Sequence, residues 1–193
     1  MPGGFSTLRI MFCVILGAVF LRIVTGAVRR FKPSTPGERP RPALLLFPLV
    51  PILLFYQALR VPLSMGPVVA GSLGLLASLA LFEWSVRATG TVFFSWAMSR
   101  DTPQVLFEGG PYAYVRNPFY SSYLLAYVSA AVALQTVTSL IIVAVMVFLF
   151  WNVARFEERK FAESPVAEQY AAYRQRAGRF LPRLRRLMSL RRL

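Results

Sequence analysis

The side chains able to do chemistry gather in two short clusters. The first is Gly109-Gly110-Pro111-Tyr112-Ala113-Tyr114-Val115-Arg116-Asn117-Pro118-Phe119-Tyr120, and the second is Asn152-Val153-Ala154-Arg155-Phe156-Glu157-Glu158-Arg159-Lys160. Asn117 followed by Pro118 suits a helix start, with asparagine at the cap and proline at the first helical position. Arg116 next to that terminus adds a cation to the helix dipole. It makes either an anion-binding point for a carboxylate or phosphate, or an interfacial arginine reaching for headgroups. Glu157 and Glu158 are adjacent, so on a helix they point about 100° apart and cannot face each other as an acid/base pair. Their plainest use is to neutralise Arg155, Arg159 or Lys160. Tyr120, Tyr123 and Tyr127 fall at i, i+3 and i+7 and share a helix face. Tyr127 would lie roughly 13 Å past Pro118. Its hydroxyl calls for either a cleft or a hydrogen bond to a neighbouring span. The chain has no histidine, which excludes a histidine base, a Ser-His-Asp triad and His-ligated metals, and no metal site is expected.

These clusters belong to a chain too apolar for water. Of its 193 residues, 56% are hydrophobic and the mean hydropathy is +0.53, which points to one integral membrane domain over residues 1–193. The single cysteine, Cys13, permits no intrachain disulfide. The net charge of +14 does not mark a nucleic-acid partner, because the cations sit between apolar runs. Span one is expected near residues 5–28, span two near 43–59 and span three near 68–86, with a basic, proline-rich loop at 29–42 and a turn at 60–67. A signal peptide is the rival for the first run, but Arg22 ahead of Thr25-Gly26-Ala27 spoils a cleavage site. Glu83 is expected to pair with Arg87, four residues on.

The most informative stretch is residues 117–154, which are 38 consecutive uncharged positions. As one helix they would run about 57 Å, nearly two crossings of a hydrocarbon core about 30 Å thick. They must therefore form a hairpin, turning at Gln135-Thr136-Val137-Thr138-Ser139, with span four near 118–134 and span five near 140–154. The hairpin makes neighbours of the two polar clusters and defines one pocket. Five spans in an all-α polytopic fold put the termini on opposite sides. Nineteen of the 22 basic residues fall on one side and only Arg9 and Arg60 on the other, with Arg22 inside span one. The positive-inside rule then places the N-terminus outside and the C-terminus in the cytoplasm. Residues 178–193 combine Arg179, Arg183, Arg185, Arg186, Arg191 and Arg192 with Leu181, Leu184, Leu187 and Leu190. They read as a basic amphipathic helix on an anionic leaflet.

The run Gly-Pro-Tyr-x-x-Val-Arg-Asn-Pro-x-Tyr from Gly110 to Tyr120, then Glu157-Glu158, Tyr170-x-x-Tyr173 and Arg179-Phe180-Leu181-Pro182, resembles the isoprenylcysteine carboxyl methyltransferase family and its bacterial relatives, a group similar to phospholipid methyltransferases. The resemblance covers residues 109–184. It implies an S-adenosylmethionine-dependent methyltransferase of a bacterial inner membrane, acting on a lipophilic or amphipathic substrate from the bilayer. By the same resemblance Tyr112, Val115, Arg116, Asn117, Pro118, Tyr120, Glu157, Glu158 and Leu181 would form the cofactor site and Arg116 and Glu158 would serve catalysis; a substrate entering from the bilayer would pass Tyr123 and Tyr127 on their shared face of span four. Asn117 stands where many members have histidine. Asparagine cannot take up a proton near neutral pH, so the acceptor leans toward an already anionic carboxylate or thiolate rather than a lipid amine, unless Glu158 or Tyr120 acts as base. A nicotinamide-dependent membrane reductase and a non-catalytic scaffold are the alternatives. The oligomeric state is not legible.

Overall fold

The computed structural model describes residues 3–32, 46–90, 94–95 and 102–183. Six α-helices follow in order: α1 (Gly3–Arg30), α2 (Leu46–Arg60), α3 (Met65–Ala88), α4 (Pro118–Leu134), α5 (Val137–Ala162) and α6 (Ala167–Arg176). The protein is an all-helical, polytopic membrane protein. α1, α3 and α5 are long and apolar enough to cross a membrane, and α2 and α4 are shorter apolar helices. The five expected spans correspond to α1–α5 in order. Two short parallel backbone contacts interrupt the helical pattern among the described residues. β1 (Phe31–Lys32) pairs with β2 (Phe94–Ser95), and Val115 bridges Gly178.

Several boundaries differ by a few residues from the hydropathy reading, and two have a plain physical reason. α3 begins at Met65 rather than 68, because Pro67 in a first helical turn gives up no intrahelical bond. α5 continues to Ala162, about two turns beyond the expected end of span five at 154, since Glu157, Glu158, Arg159 and Lys160 are good helix formers. The hairpin itself is as expected and tighter. Gln135 takes the left-handed conformation (φ 51°) that ends α4, and Thr136 caps α5 by accepting from Ser139 N at 3.1 Å.

Small residues let the central helices meet. A Cβ on Gly71 would come within 2.5 Å of Ser129 O, and one on Gly74 would overlap Ser129 Oγ. α3 and α4 therefore approach at backbone distance, as membrane helices do where glycine, alanine and serine face each other. Ser78 Oγ completes the seam by donating to Ser122 O at 2.7 Å.

α2 shows how a proline is accommodated in an apolar setting. Pro51 lies inside the helix, has no N–H, and so leaves the carbonyl of Phe47 without its helical donor. The hydroxyl of Tyr127 on α4 supplies the missing bond, donating to Phe47 O at 3.2 Å. Of the two uses open to Tyr127, the fold takes the hydrogen bond to a neighbouring span. Glu83 requires a correction: it pairs with Arg22 of α1, Nε to Oε1 at 2.8 Å, and not with Arg87. The rise of α3 carries Glu83 onto the face turned to α1, and contact between helices overrides spacing along one helix.

Candidate active site

The end where α4 begins and α5 finishes is built in three layers. A 3-10 turn, Gly110–Ala113, delivers the chain to α4 with Tyr112 buried. α5 rises beside it. After α6, residues 177–180 fold back as a strap across the entry to α4. Backbone bonds tie the strap down: Gly178 N donates to Tyr114 O at 3.0 Å, Arg116 N to Gly178 O at 2.7 Å and Asn117 N to Arg179 O at 3.2 Å. Gly178 is needed here because a Cβ would overlap the carbonyl oxygen of Leu181. Tyr173 of α6 fastens the turn by donating its hydroxyl to Tyr112 O at 2.7 Å.

Glu158 is the centre of this arrangement. Its side chain is 9% exposed. Arg116 donates to Oε1 from Nη2 at 3.0 Å and from Nε at 3.3 Å. Arg179 reaches both oxygens, Nε to Oε1 and Nη2 to Oε2, each at 2.9 Å. One carboxylate thus clasps two arginines from segments that are 63 residues apart in sequence. The bonds to Glu158 raise the Arg179 guanidinium above its usual range, and its Cζ lies 4.3 Å from the centre of the Trp151 ring. Arg116 also donates from Nη1 to Ala177 O at 2.6 Å. Glu158 therefore does not neutralise Arg155, Arg159 or Lys160; its helix face points toward α4 and the strap.

Asn117 and Pro118 start α4 as expected, but the Asn117 side chain makes no cap bond. It turns to the clasp, donating to Glu158 Oε1 at 3.4 Å and Arg179 O at 3.3 Å. Glu157 faces a different way, as the angle between adjacent helical residues requires. It accepts from the Tyr120 hydroxyl at 2.8 Å. Tyr120 stacks on Phe150 with ring centres 5.2 Å apart, and Tyr123 follows at 6.1 Å. Tyr123 is surrounded by Phe47, Phe82 and Phe150. Its buried hydroxyl has no hydrogen-bond partner among the described residues, and neither has that of Tyr170. Burial pushes the Tyr170 phenol up to about 12.

A sequence model of the phospholipid methyltransferase family matches residues 67–169, more than half of the chain. The chain belongs to that family. No curated protein and no solved structure matches it. The matched region runs from the first turn of α3 through α5 into α6, so it contains the hairpin, Arg116 and both glutamates, and stops short of the strap.

In this membrane methyltransferase the fold brings Arg116, Asn117, Tyr120, Glu157 and Glu158 together at one end. Tyr112, Val115 and Pro118 are buried beneath them, and Val115 contributes its backbone bridge to Gly178. Leu181 lies at the outer edge, 78% exposed. Tyr127 is held by α2, away from this group. Sequence reasoning missed Arg179, which had been grouped with the tail cations, and Trp151 beneath it. Residues 178–183 are non-helical, with 178–180 packed as part of the strap and 181–183 exposed, rather than the start of an amphipathic helix; the remainder of that expected helix, 184–193, lies outside the described residues. The available signal was the charge on Glu158, since a carboxylate shared by two packed segments calls for more than one cation.

Proposed function

We propose that this protein transfers the methyl group of S-adenosylmethionine to an amine-bearing lipophilic acceptor that enters from the bilayer. The observation that carries the reading is the Tyr120–Glu157 hydrogen bond of 2.8 Å, set among aromatic rings at the end of the hairpin. The donor set fits the cofactor. A carboxylate held by a tyrosine that stacks on Phe150 suits a sulfonium or an ammonium, and the orphaned Tyr123 hydroxyl offers a buried polar contact near it. When bound, the cofactor supplies an electrophilic methyl group on sulfur.

The chain's own residues supply position and charge. Glu157, oriented by Tyr120, opposes positive charge and takes the proton that an ammonium must lose before its lone pair can attack in line. Tyr123 lines the acceptor side, while Asn117 and the exposed Leu181 border the cofactor side. Glu158 acts as a positioning residue, through Arg116 and the strap. In support of an amine over a carboxylate or thiolate, the N–H groups of Arg116 that would attract an anion are directed at Glu158 and Ala177 O. The excess of basic residues on one side supports an N-terminus outside and this site at the cytoplasmic face.

The test combines binding with turnover. Calorimetry of detergent-solubilised protein should give saturable heat with S-adenosylmethionine and none with NADPH. Labelled cofactor should methylate phosphatidylethanolamine in preference to a prenylated cysteine. Glu157→Gln should lower kcat/KM for the amine by roughly 100-fold or more, the scale of a lost general base. Absence of cofactor heat would overturn the methyl-donor assignment, and methylation of the prenylated cysteine alone would overturn the acceptor.

A further inference from the structure

The Arg22–Glu83 pair joins α1 to α3 and takes no part in the site above. Arg22 binds Glu83 through Nε to Oε1 at 2.8 Å and Nη2 to Oε2 at 3.1 Å, and its guanidinium lies 5.2 Å over the Phe82 ring. Gly26, one turn along α1, makes room for it, since a Cβ there would come within 2.5 Å of both Arg22 Nη1 and Phe82. Phe82 in turn packs 5.6 Å from Phe119, the second residue of α4. The ion pair therefore lies level with the start of α4, where the chain's polar residues gather and headgroups are met.

An ion pair serving only to lock two helices is best enclosed, because lipid exposure of charge is costly. This one is open: the side chains of Arg22 and Glu83 are 41% and 28% exposed. Among the described residues nothing accepts from Arg22 Nη1. The pair holds the guanidinium over the Phe82 ring with Nη1 beside Gly26, at a depth where phosphate oxygens are the abundant acceptors. We propose that the α1–α3 seam is a binding site for the phosphate of a membrane phospholipid. The phosphate accepts from Arg22 Nη1, and Glu83 fixes the arginine while opposing the ligand's negative charge. Phe82 also meets Tyr123 with ring centres 6.1 Å apart, so the headgroup rests on the far side of the aromatic group from Glu157.

The two charges make predictions of opposite sign. Delipidated full-length protein is titrated by native mass spectrometry with phosphatidylglycerol, with diacylglycerol of the same chains, and with inorganic phosphate. Phosphatidylglycerol should bind and diacylglycerol should not. Arg22→Gln should weaken phosphatidylglycerol about tenfold, the scale of one charge-assisted hydrogen bond, whereas Glu83→Gln should tighten it. Equal weakening by both variants would mean that the pair only joins helices, and would overturn the proposal. Binding of diacylglycerol as tight as that of phosphatidylglycerol, or of inorganic phosphate alone with equal affinity, would do the same. If Arg22→Gln fails to fold, the sign of the Glu83→Gln change decides. The readout is lipid binding, so it stands whether or not methyl transfer is observed.

Discussion

Replacing Glu158 by glutamine is the sharpest test of the clasp. The substitution keeps the shape of the side chain but turns one of two accepting oxygens into a donor, facing the guanidinium groups of Arg116 and Arg179 at distances of 2.9–3.3 Å. Removing one partner of a buried ion pair costs about 3–5 kcal/mol. Arg179 is 22% exposed, so water can partly replace its lost partner and the lower figure, about 3 kcal/mol, applies. Chemical unfolding in detergent should register that loss. Calorimetry with S-adenosylmethionine should show affinity reduced on the order of 100-fold if the loss is felt wholly at the site. Because Glu158 works through the strap, Arg179→Gln should reproduce most of the effect. The double variant should be little worse than the worse single one, with a coupling of about 2 kcal/mol. If Arg179→Gln leaves cofactor affinity intact while Glu158→Gln abolishes it, Glu158 contacts the cofactor itself and the positioning argument fails. Additive losses would also refute it.

Two further substitutions probe other parts of the fold. Tyr127→Phe should destabilise the native protein by about 1 kcal/mol, yet cost almost nothing when Pro51 is also alanine, because the restored N–H then satisfies the Phe47 carbonyl. Equal costs in both backgrounds, measured by unfolding in detergent, would show that Tyr127 does not compensate the proline. Gly178→Ala should lift the strap, since its Cβ overlaps Leu181 O. Limited trypsin digestion followed by mass analysis should then show faster cleavage after Arg179, and an unchanged cleavage rate would count against the strap as a tightly held element.

The membrane character, the order of the helices and the hairpin were determined by residue order alone. Hydropathy and helix length are local properties, and 38 uncharged residues have one way to satisfy their backbone in lipid without overshooting it. The meeting of the Arg116 segment with Glu157 and Glu158 followed from that hairpin, as did their different directions on α5. What residue order could not decide was partnership across helices. Glu83 chose Arg22 over Arg87, Glu158 chose Arg116 and Arg179 over the cations beside it, Asn117 left its cap for the clasp, and Tyr127 was claimed by the carbonyl that Pro51 leaves bare. Each choice depends on which faces meet and how closely, and the close meeting of α3 and α4 is set by Gly71, Gly74 and Ser129. The two polar clusters were therefore visible in one dimension, but the division of labour between Glu157 and Glu158 came from three-dimensional packing, because a carboxylate in a low-dielectric setting goes to the cations the fold brings within reach.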